Sequence, residues 1–170
     1  MDRLDIISIL AAVMLTVWAL FLVVFLERQP EERRQSAQFV VRIDPVFDKK
    51  ISVVKTLLAG NNLEQAESLL KEMVVAYPYE AMPFLLWGDL HLYRQDSVGA
   101  MLEYRKAVDL NPDFLDKKSE HFQGKKIKKT VEEAWSVIES GLATKHDDAA
   151  LLSARTVYYY LLRKIAGSCG

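Results

Sequence analysis

Ser68–Pro78 reads SLLKEMVVAYP and Leu102–Pro112 reads LEYRKAVDLNP, one pattern met twice along the chain. Both place apolar side chains at spacings of three and four, the mark of one helix face, and both stop at a proline, which cannot continue a helix. The interval of 34 between them holds position by position: Ala66, Ala100 and Ala134; Leu70, Tyr104 and Ile138; Met73, Ala107 and Gly141; Pro78 and Pro112. Small residues recur where two helices would cross, because a bulky side chain there would hold the backbones apart.

Reading outward, Pro45–Ala59 is expected to be a helix with Val46, Phe47, Ile51, Val54, Leu57 and Leu58 apolar. Asp44-Pro45 supplies its cap and first position, and Gly60-Asn61-Asn62 a left-handed stop. Leu63–Ala76 follows, with Ala66, Leu69, Leu70 and Met73 on one stripe. A third helix, about Glu80–Arg94, is apolar nearly all round and so needs neighbours on more than one side. Asp96 caps a fourth, Ser97–Leu110, with Ala100, Tyr104, Ala107 and Val108 on its stripe. Beyond Pro112 the pattern weakens. Thr130-x-x-Glu133 reads as a capping box that opens a helix keeping Ala134, while the stretch before it is interrupted by Gly124 and rich in lysine. His146-Asp147-Asp148 reads as the cap of a closing amphipathic helix, about 148–165, with Leu151, Leu152, Val157, Tyr158, Leu161 and Leu162 apolar. Trp87, Tyr93, Tyr104, Trp135 and Tyr158–Tyr160, at helical spacing, read as core.

A helix pair recurring at this interval, with Gly88 and the repeated alanines at the crossings and LLWGDLHLY leading into Ala100, Tyr104, Ala107 and Pro112, resembles the tetratricopeptide repeat family. His91 stands where that family has an aromatic, and Val54 replaces the small residue in the first unit. The resemblance covers residues 45–165: units of about 47–80 and 81–114, a degenerate unit 115–148, a closing helix 148–165, and a tail 166–170. It implies an all-α, right-handed solenoid of helical hairpins whose first helices line a concave protein-binding groove. The groove residues so implied are Asp48, Ile51, Lys55 and Leu58, then Met82, Leu85, Asp89 and Leu92. Their mixture of aliphatic and charged side chains suits a peptide segment held by apolar anchors. It does not suit the branch of the family that grips a terminal carboxylate with paired basic and amide side chains.

The 51% hydrophobic content is unevenly placed. Ile6–Leu26, IISILAAVMLTVWALFLVVFL, holds 21 residues without a charge. That length crosses a bilayer core as a helix, and no small-residue cleavage pattern follows it. Residues 1–26 are therefore expected to be a single-pass anchor. Residues 27–44 form a charged connector with four Arg against three Glu and one Asp. Arg28, Arg33 and Arg34 just after the span favour a cytoplasmic C-terminal domain, with a bacterial inner membrane as the expected setting.

Chemistry has little foothold. A single cysteine, Cys169, forms neither an internal disulfide nor a thiolate metal site, and His91, His121 and His146 fall in no metalloprotease or nucleophile motif. No catalysis, cofactor or metal is expected. Lys117, Lys118, Lys125, Lys126, Lys128 and Lys129 face only Glu120 across 117–129, a patch suited to anionic lipid and otherwise a solvated surface. It lacks the aromatic interleaving of a nucleic-acid site. The expected function is a membrane-anchored adaptor or assembly factor that binds a protein partner. A permanent structural subunit of a membrane complex is the first alternative, and a peripheral enzyme or metal protein the remoter one.

Overall fold

A computed structural model describes Met14, Trp18 and residues 45–167. Met14 and Trp18 are helical with exposed side chains. The rest of the 6–26 run, the connector 27–44 with Asp44, and Cys169 lie outside the described residues. Among those described, no helix is long and apolar enough to cross a membrane.

Residues 45–167 are all-α, with no strand among them. Six helices follow one another: α1 Pro45–Ala59, α2 Leu63–Ala76, α3 Ala81–Tyr93, α4 Ser97–Leu110, α5 Gly124–Thr144 and α6 Ala149–Gly167. A single 3-10 turn, Pro112–Phe114, comes between α4 and α5. The connections from α1 through to α4 are three or four residues long, so consecutive helices pack side by side as antiparallel neighbours. Each helix also touches the next in sequence, and α1 reaches α3 as α4 reaches α6.

The interval of 34 reappears in the backbone. The Asn62 amide donates to the Leu57 carbonyl (2.8 Å) and that of Asn61 to Leu58 (3.0 Å). At the equivalent positions of the next unit, Asp96 donates to His91 (2.9 Å) and Gln95 to Leu92 (2.9 Å). Each pair of bonds closes a Schellman turn. The left-handed residues are Asn61 (φ 55°) and Gln95 (φ 60°), so the residue that reverses the chain after α1 is Asn61 and not Gly60. Tyr77, Asn111 and Lys145, equivalent positions of three successive units, donate to Met73, Ala107 and Gly141 to end α2, α4 and α5. Asp96 caps α4 by accepting from the Gly99 amide (2.8 Å), and Asp148 caps α6 by accepting from Ala150 and Leu151.

Two cores share α3. Leu86 and Leu90 pack with Ile51, Val54, Leu58, Ala66, Leu70 and Met73 of α1 and α2. Ala81 and Leu85, on the other side, join the core that α4, α5 and α6 build around Met101, Tyr104, Ile127, Val131, Ile138 and Leu161. An all-round apolar helix finds neighbours on both sides, as its pattern requires. Helices α3 and α4 approach closely at Gly88, where a Cβ would overlap the Tyr104 ring. At the α5–α6 crossing a Cβ on Gly141 would stand 2.6 Å from Leu151.

The third interval departs from expectation. Thr130 opens no helix: it is buried inside α5, and its hydroxyl donates to the Lys126 carbonyl one turn back (3.1 Å). Helix α5 starts six residues earlier, at Gly124, because Ile127 and Val131 extend the stripe of Ala134 and Ile138 towards the N-terminus. Residues 115–123 form turns. Their polar run, Lys117, Lys118, Glu120, His121 and Gln123, has no stripe to bury, and the segment is held by buried Phe114 and Leu115 and by the Gln123 amide on the Phe114 carbonyl (2.8 Å). The aromatic side chains read as core divide: Tyr104 is fully buried, whereas Tyr93 and Tyr159 are about half exposed (50% and 49%). Trp135 stacks on Tyr158 with centroids 4.4 Å apart, joining α5 to α6.

Adding a methyl at the α3–α4 crossing is expected to cost stability despite alanine's better helix propensity. Gly88→Ala should lose about 1–3 kcal/mol, while Gly167→Ala, which meets nothing within 4 Å, should leave melting unchanged. Thermal melting of the full chain in non-ionic detergent, followed by circular dichroism, reads both. Glu67 on α2 binds Lys71 (2.6 Å) and, across to the end of α3, Arg94 (2.7 Å). Hydrogen bonds from these two cations lower its pKa from 4.5 to about 2. Because the folded value lies below the unfolded one, this stabilisation is complete above about pH 4.5 and disappears as pH falls towards 2. The melting difference between wild type and Glu67→Gln, about 0.5–1 kcal/mol at neutral pH for so exposed a pair, should therefore close by pH 2.

Candidate functional site

The helices α1, α3 and α5 enclose an open hollow of about 440 Å³ lined by Lys55, Leu58, Leu86, Asp89, Leu92, Tyr93 and Lys126. Four of the eight groove residues expected from sequence, Lys55, Leu58, Asp89 and Leu92, meet there. Ile51 and Leu85 do not: Ile51, two turns before Leu58 on α1, packs in the core shared with α2, and Leu85 packs in the core built with α4, α5 and α6, whereas Leu58 and Leu86, as deeply buried, also reach the wall of the hollow. Met82 is half buried between the two cores, and Asp48 is an exposed residue in the first turn of α1.

Asp89 is engaged within the fold. The Tyr104 hydroxyl donates to its Oδ1 (2.5 Å), and Lys126 Nζ donates to Oδ1 (2.7 Å) and Oδ2 (3.0 Å). Burial, reinforced by the neighbouring Asp89 carboxylate, pushes the Tyr104 phenol well above its ordinary range, so it remains a neutral donor. Lys126 Nζ also lies 5.5 Å from the Tyr104 ring centroid. The carboxylate expected as a free polar contact is thus neutralised, and Lys126 leaves the basic patch to do it.

The other members of that patch stay outside. Lys117 and Lys118 occupy the turns before α5, and Lys125, Lys128 and Lys129 its first two turns, all exposed. Lys128 and Lys129 stand 3.8 and 3.6 Å from Glu132 and Glu133 one turn on, which dilutes the positive charge. Lys55 is exposed and forms no ion pair among the described residues.

A second open hollow of about 470 Å³ adjoins the first at Leu92 and is lined also by Gln95, Ser97, Glu133, Ser136 and Val137. Among the described residues no group of three His, Cys, Asp or Glu side chains is placed to hold a metal. His91 Nδ1 lies 2.8 Å from Asp96 Oδ2 in the turn after α3, and His121 and His146 are exposed.

Three lining residues escape sequence reading. Leu86 and Tyr93 each sit one position from an expected residue, and a helix apolar all round gives no phase by which to choose between them. Lys126 carries no local signal, since its partner lies far back along the chain on α3. No protein-family model, curated protein or solved structure matches the chain.

Removing the Lys126 ammonium should leave a half-buried carboxylate with one donor. Lys126→Met is expected to cost about 1–3 kcal/mol in thermal melting, and Asp89→Asn with Lys126→Met less than the sum of the single changes. Strict additivity would mean that the pair contributes no coupling.

Proposed function

We propose that this chain is a membrane-anchored adaptor or assembly factor whose helical domain, of tetratricopeptide type, binds a protein partner and performs no catalysis. The observation that carries the reading is the open, mixed hollow lined by side chains of α1, α3 and α5. Concave sites of apolar lining with a few charged groups suit peptide segments, held by buried anchors and oriented by polar contacts. The hairpin caps, recurring at the same interval as the sequence pattern, support the repeat reading, and the uncharged run 6–26 supports the anchor. The interleaved arginines after that run favour a cytoplasmic domain at a bacterial inner membrane.

The mechanism is tethering. A span fixed in the bilayer confines the domain to a thin layer, which raises the effective concentration of a partner in the same membrane without any new contact. A second reading, a permanent subunit of a membrane complex, draws on the exposed Val75 (82%) and Tyr79 (86%) at the end of α2 and the turn beyond it.

Capture from detergent-solubilised membranes with the full-length chain, followed by mass spectrometry, tests the adaptor reading. Tyr93→Ala is expected to lose the specific partner, whereas Val75→Ser with Tyr79→Ser retains it. The reverse result favours the permanent subunit, and a partner set unmoved by Tyr93→Ala sinks the hollow as the binding site.

A further inference from the structure

The hollow's charges do not cancel in the way its composition suggests. It contains two lysines and one carboxylate, but Asp89 is bound by Lys126 and Tyr104, leaving Lys55 as the lining cation without an ionic partner among the described residues. We propose that the hollow selects a segment of a partner protein in which an acidic side chain, seated against Lys55, is followed by aliphatic or aromatic side chains over Leu92 and Tyr93. This rests on the reading of the hollow as a protein-binding site and specifies its ligand.

Three features set the chemistry and its direction. The Asp89 carboxylate is saturated by an ammonium and a phenol, so a cation on the partner finds no free acceptor there and faces repulsion from Lys55, unpaired among the described residues. An anion at Lys55 meets an uncommitted ammonium on the rim of a hollow whose other walls include Leu58, Leu86, Leu92 and Tyr93, so a charge contact and an apolar contact are offered side by side. At the far side, beyond Leu92, the second hollow offers the exposed Val137 (51%) as an apolar surface, while its Glu133 carboxylate is paired with Lys129 (3.6 Å), so the apolar part of the segment extends towards α5 and its acidic end stays at Lys55 on α1. Asp48 lies on the same helix as Lys55 but seven residues away. At about 1.5 Å per residue that is roughly 10 Å along the axis, about one Debye length at physiological salt, so its repulsion is largely screened.

The test pans a display library of random twelve-residue peptides on the full-length chain held in non-ionic detergent micelles. The expected consensus has Asp or Glu followed by Leu, Ile or Phe, and the recovered peptides bind Lys55→Glu at least ten-fold more weakly and Lys145→Glu unchanged. Lys55 and Lys145 are both exposed, and the melting of each variant verifies that the fold is kept. A basic or purely apolar consensus, or binding indifferent to Lys55→Glu but weakened by Tyr93→Ala, overturns the charge assignment while the site stands. Peptides indifferent to both substitutions, or no enrichment at all, overturn the site as well. Displacement of the peptides by phosphatidylglycerol vesicles and not by phosphatidylcholine vesicles would make Lys55 a lipid contact and also overturn the proposal.

Discussion

The fold of residues 45–167 depends on the close approach of α3 and α4 at Gly88. Only a residue without a Cβ lets the Tyr104 ring lie against the α3 backbone. That depth buries the ring completely and brings its hydroxyl to Asp89, one residue beyond the glycine. Lys126 then completes the carboxylate from α5. A steric allowance on one helix is thus converted into a polar junction of three, placed where the two apolar cores meet. Without the glycine, the ring would stand off, and Asp89 would lose the phenol as a donor.

That junction also explains how the stack continues after the regular pattern stops. The polar stretch 116–121 has no apolar face to lay against α3. The chain instead buries Phe114 and Leu115, turns, and enters an elongated α5 whose first turn reaches α3 through Lys126. Further along, the Tyr160 hydroxyl donates to Asp109 while the Arg105 guanidinium lies 5.4 Å from the Tyr160 ring centroid, so α6 is fastened to α4 as well as to α5. Polar contacts accompany the apolar packing between several helix pairs, Glu67 with Arg94 between α2 and α3 among them. Individually such exposed pairs contribute little beside the apolar packing.

The same geometry decides which charges the hollow between α1, α3 and α5 presents. A sequence lists Lys55, Asp89 and Lys126 as three charges; the fold makes two of them a closed pair and leaves the third available.

Much was legible in the chain itself. The spacing of Ala66, Ala100 and Ala134, the prolines at 78 and 112, and the caps at Asp96 and Asp148 depend on backbone geometry within a few residues, which sequence encodes directly, and the first four helices fall within a residue of their expected ends. The left-handed turns at Asn61 and Gln95 carry no glycine and were only half legible, since asparagine tolerates that conformation and glutamine gives no sign of it. Tertiary structure alone decided that Thr130 lies within a helix, that Ile51 and Leu85 turn inward, and that Lys126 closes on Asp89. The reason is range: helix, cap and turn are settled by neighbours along the chain, whereas the rotation of an all-apolar helix and the partner of a charge are settled by what packs against them.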